Sequence, residues 1–188
     1  DNPVAVSLWI NPYDNTTIQN VYTEAVTIGQ VLAVQVRDDG RVRFAYRGAS
    51  DWSGFYSNIT VEENKWYHVI VNYDESTGTG NIYIDGVDVT DDATSFTGYL
   101  TAYGFDSVEI GSYGGSNQFS GLVDNLMLYN RSLSNDEIAY LFTQEFANWQ
   151  YTTVEDFASD IAEFSIPVTS NIKPILSLSA DAEFFYTP

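Results

Sequence analysis

Short runs of alternating apolar and polar residues fill roughly the first 130 positions of the chain, and Gly, Asn or Asp interrupts them about every ten residues. In residues 4–10, for example, aliphatic side chains alternate with Ala5, Ser7 and Trp9. A two-residue period places successive side chains on opposite faces of a strand. The pattern predicts an all-β fold, built as a sandwich of short antiparallel strands.

Side-chain parity fixes the register of the hairpin around residues 38–40. A three-residue turn places Val36 opposite Val42, whereas a two-residue turn would place Val36 opposite Arg43. The register that pairs apolar residues is the favourable one, so the turn comprises all three residues. Gly40 then takes the left-handed position of a bulged turn.

The same test predicts a two-residue turn in the next hairpin. Asp85 and Gly86 form a type I′ turn, because this register pairs Ile84 with Val87. Between the two hairpins, residues 65–73 are apolar on both faces and predict a central strand.

His68 is the only histidine of the chain and lies within that central strand. No cysteine or second histidine accompanies it, and no serine stands at a position that the pattern would pair with it. The sequence therefore favours a core histidine satisfied by hydrogen bonds over a catalytic base.

A short helix follows the last predicted strand of the sandwich, residues 119–129. Ser134 and Glu137 have the spacing of a capping box, in which each side chain accepts a hydrogen bond from the other residue's backbone N–H. Apolar residues then recur at helical spacing on a helix that is predicted to end near Phe146. The buried stripe comprises Ile138, Leu141 and Phe142.

Residues 111–138 resemble the closing signature of the laminin G-like, concanavalin A-like jelly rolls. They contain the Phe-x-Gly-x-Val-Asp strand, the Tyr-Asn-Arg-Ser-Leu-Ser turn and the short helix with Glu-Ile. Upstream segments match the family in the same order, at residues 7–12, 39–41, 65–69 and 83–86. The resemblance covers residues 4–146 and implies a jelly-roll sandwich that serves in adhesion or glycan recognition.

The resemblance divides the chain into a jelly-roll sandwich, residues 1–146, and a C-terminal arm, residues 147–188. The family pattern opens with a further strand, which this sequence lacks. The sequence also begins in strand-like residues, with neither Met nor a signal peptide. We therefore expect a processed chain or a piece of a longer protein.

The C-terminal arm is predicted to contain a second short helix at residues 154–164 and strands at 175–179 and 184–186. A sandwich without its first strand exposes a pairing edge, and unpaired edges recruit strands. We therefore expect a strand of the arm to fill that edge, either in its own subunit or in a neighbour's.

Charge and composition exclude several classes of function. The chain has 26 acidic and 7 basic residues, a formal net charge of −19 that excludes a nucleic-acid binder. No run of about eighteen apolar residues occurs, so no membrane span is predicted. The absence of cysteine excludes disulfides, thiolate catalysis and zinc–thiolate sites. Sequons at Asn15, Asn58 and Asn130 support a secreted glycoprotein.

The acidic residues do not form the pairs that glycoside hydrolysis needs. Jelly-roll glucanases that retain anomeric configuration place two carboxylates about 5 Å apart, as Glu-x-Asp-x-Glu or a close variant on one strand. The sequence has no such triplet, and its nearest acidic groups, Asp85 with Asp88 and Glu62 with Glu63, fall in turns or on opposite faces. We therefore expect a protein that is not an enzyme.

Aromatic residues among small polar ones predict two candidate ligand-binding loops, residues 48–56 and 112–118. Sugar rings stack on exposed aromatic faces, and nearby amides and guanidinium groups bind hydroxyls. Arg43 and Arg47 alternate with core residues, so they face away from the core. An equally weighted alternative is that the aromatics cover the ends of the sandwich while the arginines pair with surplus acids. The predicted ligand-binding residues are Trp52, Tyr56, Tyr113, Asn117 and Arg47.

Asp124 is the candidate metal ligand. Parity places its carboxylate on one face with Leu122, Leu126 and Leu128, where an ionised group needs a partner. The resemblance implies a structural Ca²⁺ held by this Asp and by backbone carbonyls from the start of the domain. A carboxylate hydrogen-bonded to backbone amides is the open alternative.

These observations favour an extracellular, non-enzymatic module that binds carbohydrate or mediates adhesion, with calcium as its cofactor. The alternative is a structural subunit of a cell-surface filament, coat or virion that assembles through its C-terminal arm. Jelly rolls serve both classes, so the fold does not separate them. The oligomeric state does, because a coat subunit assembles whereas a lectin-like module can act alone.

Overall fold

The computed structural model of the chain describes residues 5–25, 31–47, 52–74, 79–91, 107–150 and 176–178. Its elements, in chain order, are β1 (Ala5–Pro12), β2 (Gln19–Ala25), β3 (Val31–Val36), β4 (Arg41–Arg47), β5 (Trp52–Thr60), β6 (Tyr67–Asp74), β7 (Thr79–Ile84), β8 (Val87–Asp88), β9 (Ser107–Ile110), β10 (Gly121–Tyr129), α1 (Asn135–Gln150) and β11 (Leu176–Leu178). None of the helical residues described forms a segment long and apolar enough to cross a membrane.

The strands form two sheets, in which every pairing is antiparallel. One sheet has six strands in the order β11-β10-β1-β6-β7-β8, and the other has five in the order β5-β4-β3-β2-β9. This is the all-β jelly-roll sandwich that the sequence predicts, with one helix after the last long strand.

The main core lies between the two sheets. Strand β1 contributes Leu8 and Ile10, which are buried there together with Phe44 of β4 and Phe55 of β5. Burial of this apolar surface on the inner faces holds the two sheets together. The residues that alternate with these point away from the core and form the outer faces of the sheets.

Both predicted hairpin registers are confirmed. Val36 pairs with Val42, and Gly40 has a φ of 79° at the end of the three-residue turn. Ile84 pairs with Val87 across the two-residue turn, whose residues Asp85 and Gly86 have φ of 52° and 77°. Positive φ at both turn positions is the signature of type I′.

Strand β6 is central, between β1 and β7, as the sequence predicts. His68 on this strand is fully buried. The expectation that no serine pairs with it is wrong, because Oγ of Ser7 lies 2.9 Å from its Nε2. Ser7 is on the neighbouring strand β1, so the pair forms only through the sheet. The histidine is a core residue, and burial lowers the pKa of His68 to about 4.

Helix α1 begins with the predicted capping box and covers the outer face of the six-stranded sheet. The backbone N–H of Ser134 donates to Glu137, and the N–H of Glu137 donates to Oγ of Ser134. The helix continues to Gln150 rather than ending near position 146. Its buried residues Ile138 and Leu141 pack against outward residues of the sheet.

Strand β11 lies at the edge of the six-stranded sheet, where it pairs with β10. Leu176 pairs with Leu128, and Leu178 pairs with Leu126. The helix predicted at 154–164 and the strand predicted at 184–186 lie outside the described residues. The division into residues 1–146 and 147–188 therefore stays a prediction.

Candidate functional site

The candidate site is the outer face of the five-stranded sheet, here called the arginine face. Strand alternation creates it, because Val42, Phe44 and Tyr46 of β4 point into the core while the intervening residues point outward. Register then identifies the outward residues of the neighbouring strands. The arginine face comprises Asn20, Thr23 and Ala25 of β2, Val31, Ala33 and Gln35 of β3, Arg41, Arg43, Ala45 and Arg47 of β4, and Trp52, Gly54 and Tyr56 of β5.

The predicted aromatic residues Trp52 and Tyr56 lie on strand β5, not in a loop. The loop interpretation was wrong here, while residues 48–51 of the same segment lie outside the described residues. Pairing with β4 places Trp52 opposite Arg47 and Tyr56 opposite Arg43. The side chain of Trp52 is 42% exposed, and Tyr56 is half-buried.

The two rings and the arginines of β4 form a continuous set of cation–π contacts. The guanidinium carbon of Arg43 lies 5.9 Å from the ring centroid of Trp52 and 5.1 Å from that of Tyr56. The guanidinium carbon of Arg47 lies 6.0 Å from the Trp52 centroid. Each distance is within the range in which a ring attracts a cation. The predicted residues Trp52, Tyr56 and Arg47 are therefore brought together, with Arg43 among them.

Gly54 separates the two aromatic residues on β5. Its φ is 151°, and a Cβ at this position would lie 2.0 Å from the carbonyl oxygen of Phe44. The close approach of the two strands therefore requires glycine. Ala45 of β4 lies opposite Gly54, and Ala33 of β3 lies opposite Ala45. These three small residues form a surface beside the two aromatic rings, here called the floor.

Tyr113 reaches the same floor from the turn after β9. Its ring packs against a cluster of small outward residues that includes Ala33 and Ala45. Asn117 follows in the same turn, is exposed and accepts a backbone hydrogen bond from Asn20 of β2 at 2.8 Å. Strand β2 is three strands away from β5, about 14 Å, so Asn117 lies apart from the aromatic pair.

The arginines of this sheet divide into paired and unpaired groups. Arg37 lies 3.5 Å from Asp38, and Arg41 lies 2.7 Å from Asp39. Arg43 and Arg47, in contrast, have no carboxylate within 4.0 Å among the described residues. Among the described residues, Arg37 and Arg41 therefore contact acids, whereas Arg43 and Arg47, to which the alternative refers, do not.

Arg43 is half-buried. Its Nε is buried and has no acceptor in the part of the chain described here. Burial also lowers the pKa of its guanidinium from the usual value. Opposite it on β3, Gln35 donates to Oδ1 of Asn20 at 2.9 Å, whereas the Oε1 of Gln35 is buried without a donor among the described residues.

Sequence reasoning placed Arg43 on this face but missed Gly54, Ala45 and Gln35 as parts of it. The sequence does contain a pattern that includes Gly54. Positions 52, 54 and 56 lie on the same face of a strand, and they carry a large, a small and a large residue in turn. The strand was not predicted, because the small polar residues of this segment are also typical of loops.

The predicted surroundings of Asp124 are wrong. A bulge in β10 interrupts the alternation, and Asn125 within it has a φ of 47°. Asp124 pairs with Trp9 and lies on the outer face of its sheet, while Leu126 and Leu128 point into the core. Its Oδ1 accepts a hydrogen bond from the backbone N–H of Asn125 at 2.7 Å, as in the alternative to a metal. Calcium binding at Asp124 stays a prediction.

The three sequons differ in accessibility. Asn58 of β5 and Asn130 after β10 are exposed. Asn15 is half-buried, and its Nδ2, the atom that a glycan would modify, donates to the carbonyl oxygen of Val61 at 2.7 Å. The exposed pair are therefore the better candidates for glycosylation.

Comparison with known proteins identifies relatives of the whole sandwich. A family model described as the concanavalin A-like lectin/glucanases superfamily matches residues 1–139. No curated protein matches the sequence.

Solved structures with the same fold come from several organisms. The fourth domain of an extracellular GH43 arabinanase from Geobacillus stearothermophilus, in complex with arabinotriose, has a TM-score of 0.62 at 21% identity; the match covers 74% of this chain and 66% of that one. The CBM40 of the Ruminococcus gnavus IT-sialidase, bound to α2,3-sialyllactose, has a TM-score of 0.62 at 16% identity, with 75% and 83% covered. A heptameric SAP-like pentraxin from Limulus polyphemus has a TM-score of 0.55 at 20% identity, with 73% and 68% covered. At these identities the likeness shows a common fold.

Proposed function

Because this chain belongs to the concanavalin A-like lectin/glucanases superfamily, we propose that it is a non-enzymatic carbohydrate-binding module whose site is the arginine face. The observation that carries the proposal is the exposed ring of Trp52, held beside Arg43 and Arg47 at the side of a floor of small residues. Tryptophan is enriched at binding surfaces, where its ring contributes a large apolar contact area.

The chemistry of this face suits a sugar. The C–H faces of a pyranose stack on an aromatic ring, and the ring of Trp52 is large, rigid and loses little conformational freedom on binding. Guanidinium groups supply several N–H donors for hydroxyls. The small side chains of Ala45 and Gly54 leave room for a sugar beside the indole.

Two structural neighbours support this assignment. The arabinanase domain holds arabinotriose and the CBM40 module holds sialyllactose, so this fold accommodates oligosaccharides in those proteins. We further propose that the module acts outside the cell in adhesion, which the exposed sequons at Asn58 and Asn130 support.

A glycan array tests the proposal, with wild-type protein compared with Trp52→Ala. We expect Trp52→Ala to lose about 1–3 kcal/mol of binding, roughly 5- to 150-fold in affinity, because a central aromatic contact is removed. Tyr140→Ala is the matched control, since Tyr140 is 41% exposed but lies on helix α1 over the other sheet. Identical array profiles for wild type and Trp52→Ala would exclude this face.

A second candidate function, a self-assembling structural subunit, is supported by strand β11. This strand joins the sheet edge through three residue pairs with β10, and such a short edge pairing can be exchanged between subunits. Truncation after Gln150, followed by light scattering, tests this function. Wild-type polymers that become monomers on truncation would favour it, whereas a wild-type monomer would contradict it.

A further inference from the structure

The charge balance of the arginine face points to the chemical class of the ligand. We propose that the glycan bound there is acidic, and that Arg43 and Arg47 receive a carboxylate or sulfate group of the sugar. This inference rests on the proposed carbohydrate site and adds the charge that selects among sugars.

The first argument is that these two cations are exceptional within the molecule. The other arginines described all have a carboxylate partner, including Arg131, which lies 2.7 Å from Glu137. Lys65 is likewise 2.6 Å from Glu62. The chain has 26 acidic and 7 basic residues, so carboxylates far outnumber the cations with which they could pair. Both exceptions among the described residues, Arg43 and Arg47, lie on one face and contact one ring, that of Trp52.

The second argument is that the acidic residues named below, which lie near this face in the described part of the chain, already have partners. Asp39 and Asp91 both lie beside Arg41, at 2.7 and 3.4 Å. At the opposite edge of the sheet, Glu109 accepts hydrogen bonds from Ser112 and from the N–H of Gly114. These contacts hold the pKa of Glu109 below its usual range, so its carboxylate stays ionised there. The positive charge beside Trp52 is therefore left for a ligand.

The third argument is that a cation–π contact leaves the donors of a guanidinium group available. The guanidinium carbons of Arg43 and Arg47 lie 5.9 and 6.0 Å from the centroid of the Trp52 ring. These contacts use the positive charge of the arginines without consuming their N–H donors. A planar fork of this kind suits the two oxygens of a carboxylate or sulfate.

The experiment uses matched pairs of glycans. An array carrying neutral, carboxylated and sulfated versions of the same oligosaccharides identifies the preferred acidic glycan, which is then compared with its carboxyl-reduced or desulfated form by calorimetry. We expect the acidic form to bind at least about tenfold tighter, and to weaken as NaCl rises from 50 to 200 mM. Arg47→Gln and Arg43→Gln should weaken binding of the acidic form more than binding of the neutral form, and so bring the ratio close to one.

Arg37→Gln is the matched control, because it removes the same charge from an arginine that already faces Asp38. It should retain the preference for the acidic form. A glycan that requires Trp52 but binds equally well in both forms would overturn this inference and leave the proposed function intact. A preference that survives Arg43→Gln and Arg47→Gln would also overturn it. Binding of no glycan at all would refute the proposed function and this inference together. The carboxylated and sulfated arms show which acid is preferred.

Discussion

The outer face of each sheet contains a tryptophan, which is buried on one sheet and exposed on the other. On the six-stranded sheet, Trp9 stacks on His68 at 5.2 Å and on Phe142 of helix α1 at 6.3 Å between ring centroids. This surface, here called the helix face, leaves Trp9 only 3% exposed. On the arginine face, Trp52 contacts Arg43 and is 42% exposed.

This comparison shows that an outward tryptophan is buried where helix α1 packs over it. Helix α1 buries the ring of Trp9, and it also dehydrates His68, whose pKa falls to about 4, so the imidazole is neutral at pH 7. On the arginine face, Arg43 and Arg47 contact the ring of Trp52 and no carboxylate among the described residues. The helix face therefore contributes stability, and the arginine face is the surface on which we propose that a ligand binds.

The largest expected effect comes from removing one tryptophan from each face. Trp9→Ala should cost about 3–5 kcal/mol of unfolding free energy, because it opens a cavity under helix α1. Trp52→Ala should cost less than about 1 kcal/mol, since its ring is largely exposed. Urea unfolding measures both values. Equal losses would contradict the comparison.

Acid should destabilise the helix face selectively. The pKa of His68 is near 6.5 in the unfolded chain and about 4 in the folded one, so the unfolded state binds the proton between these values. Its contribution, up to about 3 kcal/mol, is fully present above pH 6.5 and is lost as the pH falls towards 4. Urea midpoints of wild type and His68→Gln at pH 4.5 and 7.5 check this. Carboxylates titrate alike in both proteins, so a wild-type slope no steeper than that of His68→Gln would refute it.

Gly54→Ala tests whether the arginine face depends on the close approach of β4 and β5. The new Cβ would collide with the carbonyl oxygen of Phe44, so we expect a loss of about 1–3 kcal/mol and weaker glycan binding as Trp52 shifts. Ser53→Ala, the exposed neighbour, should leave the unfolding free energy within about 0.5 kcal/mol. If both variants unfold at the same urea concentration, the glycine has no such role.

Calcium would give the helix face a ligand of its own, because Asp124 pairs with Trp9 there. The prediction is a stabilisation of about 1.4 kcal/mol when free calcium exceeds the dissociation constant tenfold, seen as a higher Tm of the wild type only. An equal shift in Asp124→Ala would place the ion elsewhere. No shift in either protein would favour the backbone-amide alternative.

Parity predicted the parts of the fold in which strands are regular. It gave both hairpin registers and placed Arg43 and Arg47 away from the core, because alternation along β3 and β4 is uninterrupted. It failed in β10, where the bulge at Asn125 moves Asp124 to the other face.

Contacts between residues far apart in the sequence could not be predicted from the sequence. Ser7 and His68 are 61 residues apart and meet only through the pairing of β1 with β6. The exposed site was harder to predict than the core. Gly54, for example, is part of a periodic pattern in the sequence, but the requirement for glycine there comes from the close approach of Phe44 on the neighbouring strand.

The most direct test of the central claim is an NMR titration of the indole N–H signals with the tightest-binding oligosaccharide of the array. The chain has four tryptophans, and Trp52→Phe and Trp9→Phe variants assign the two signals that matter. If the arginine face binds the sugar, the Trp52 signal shifts and saturates while that of Trp9, under helix α1, does not move. A saturable shift of Trp9 with Trp52 unchanged would contradict the account.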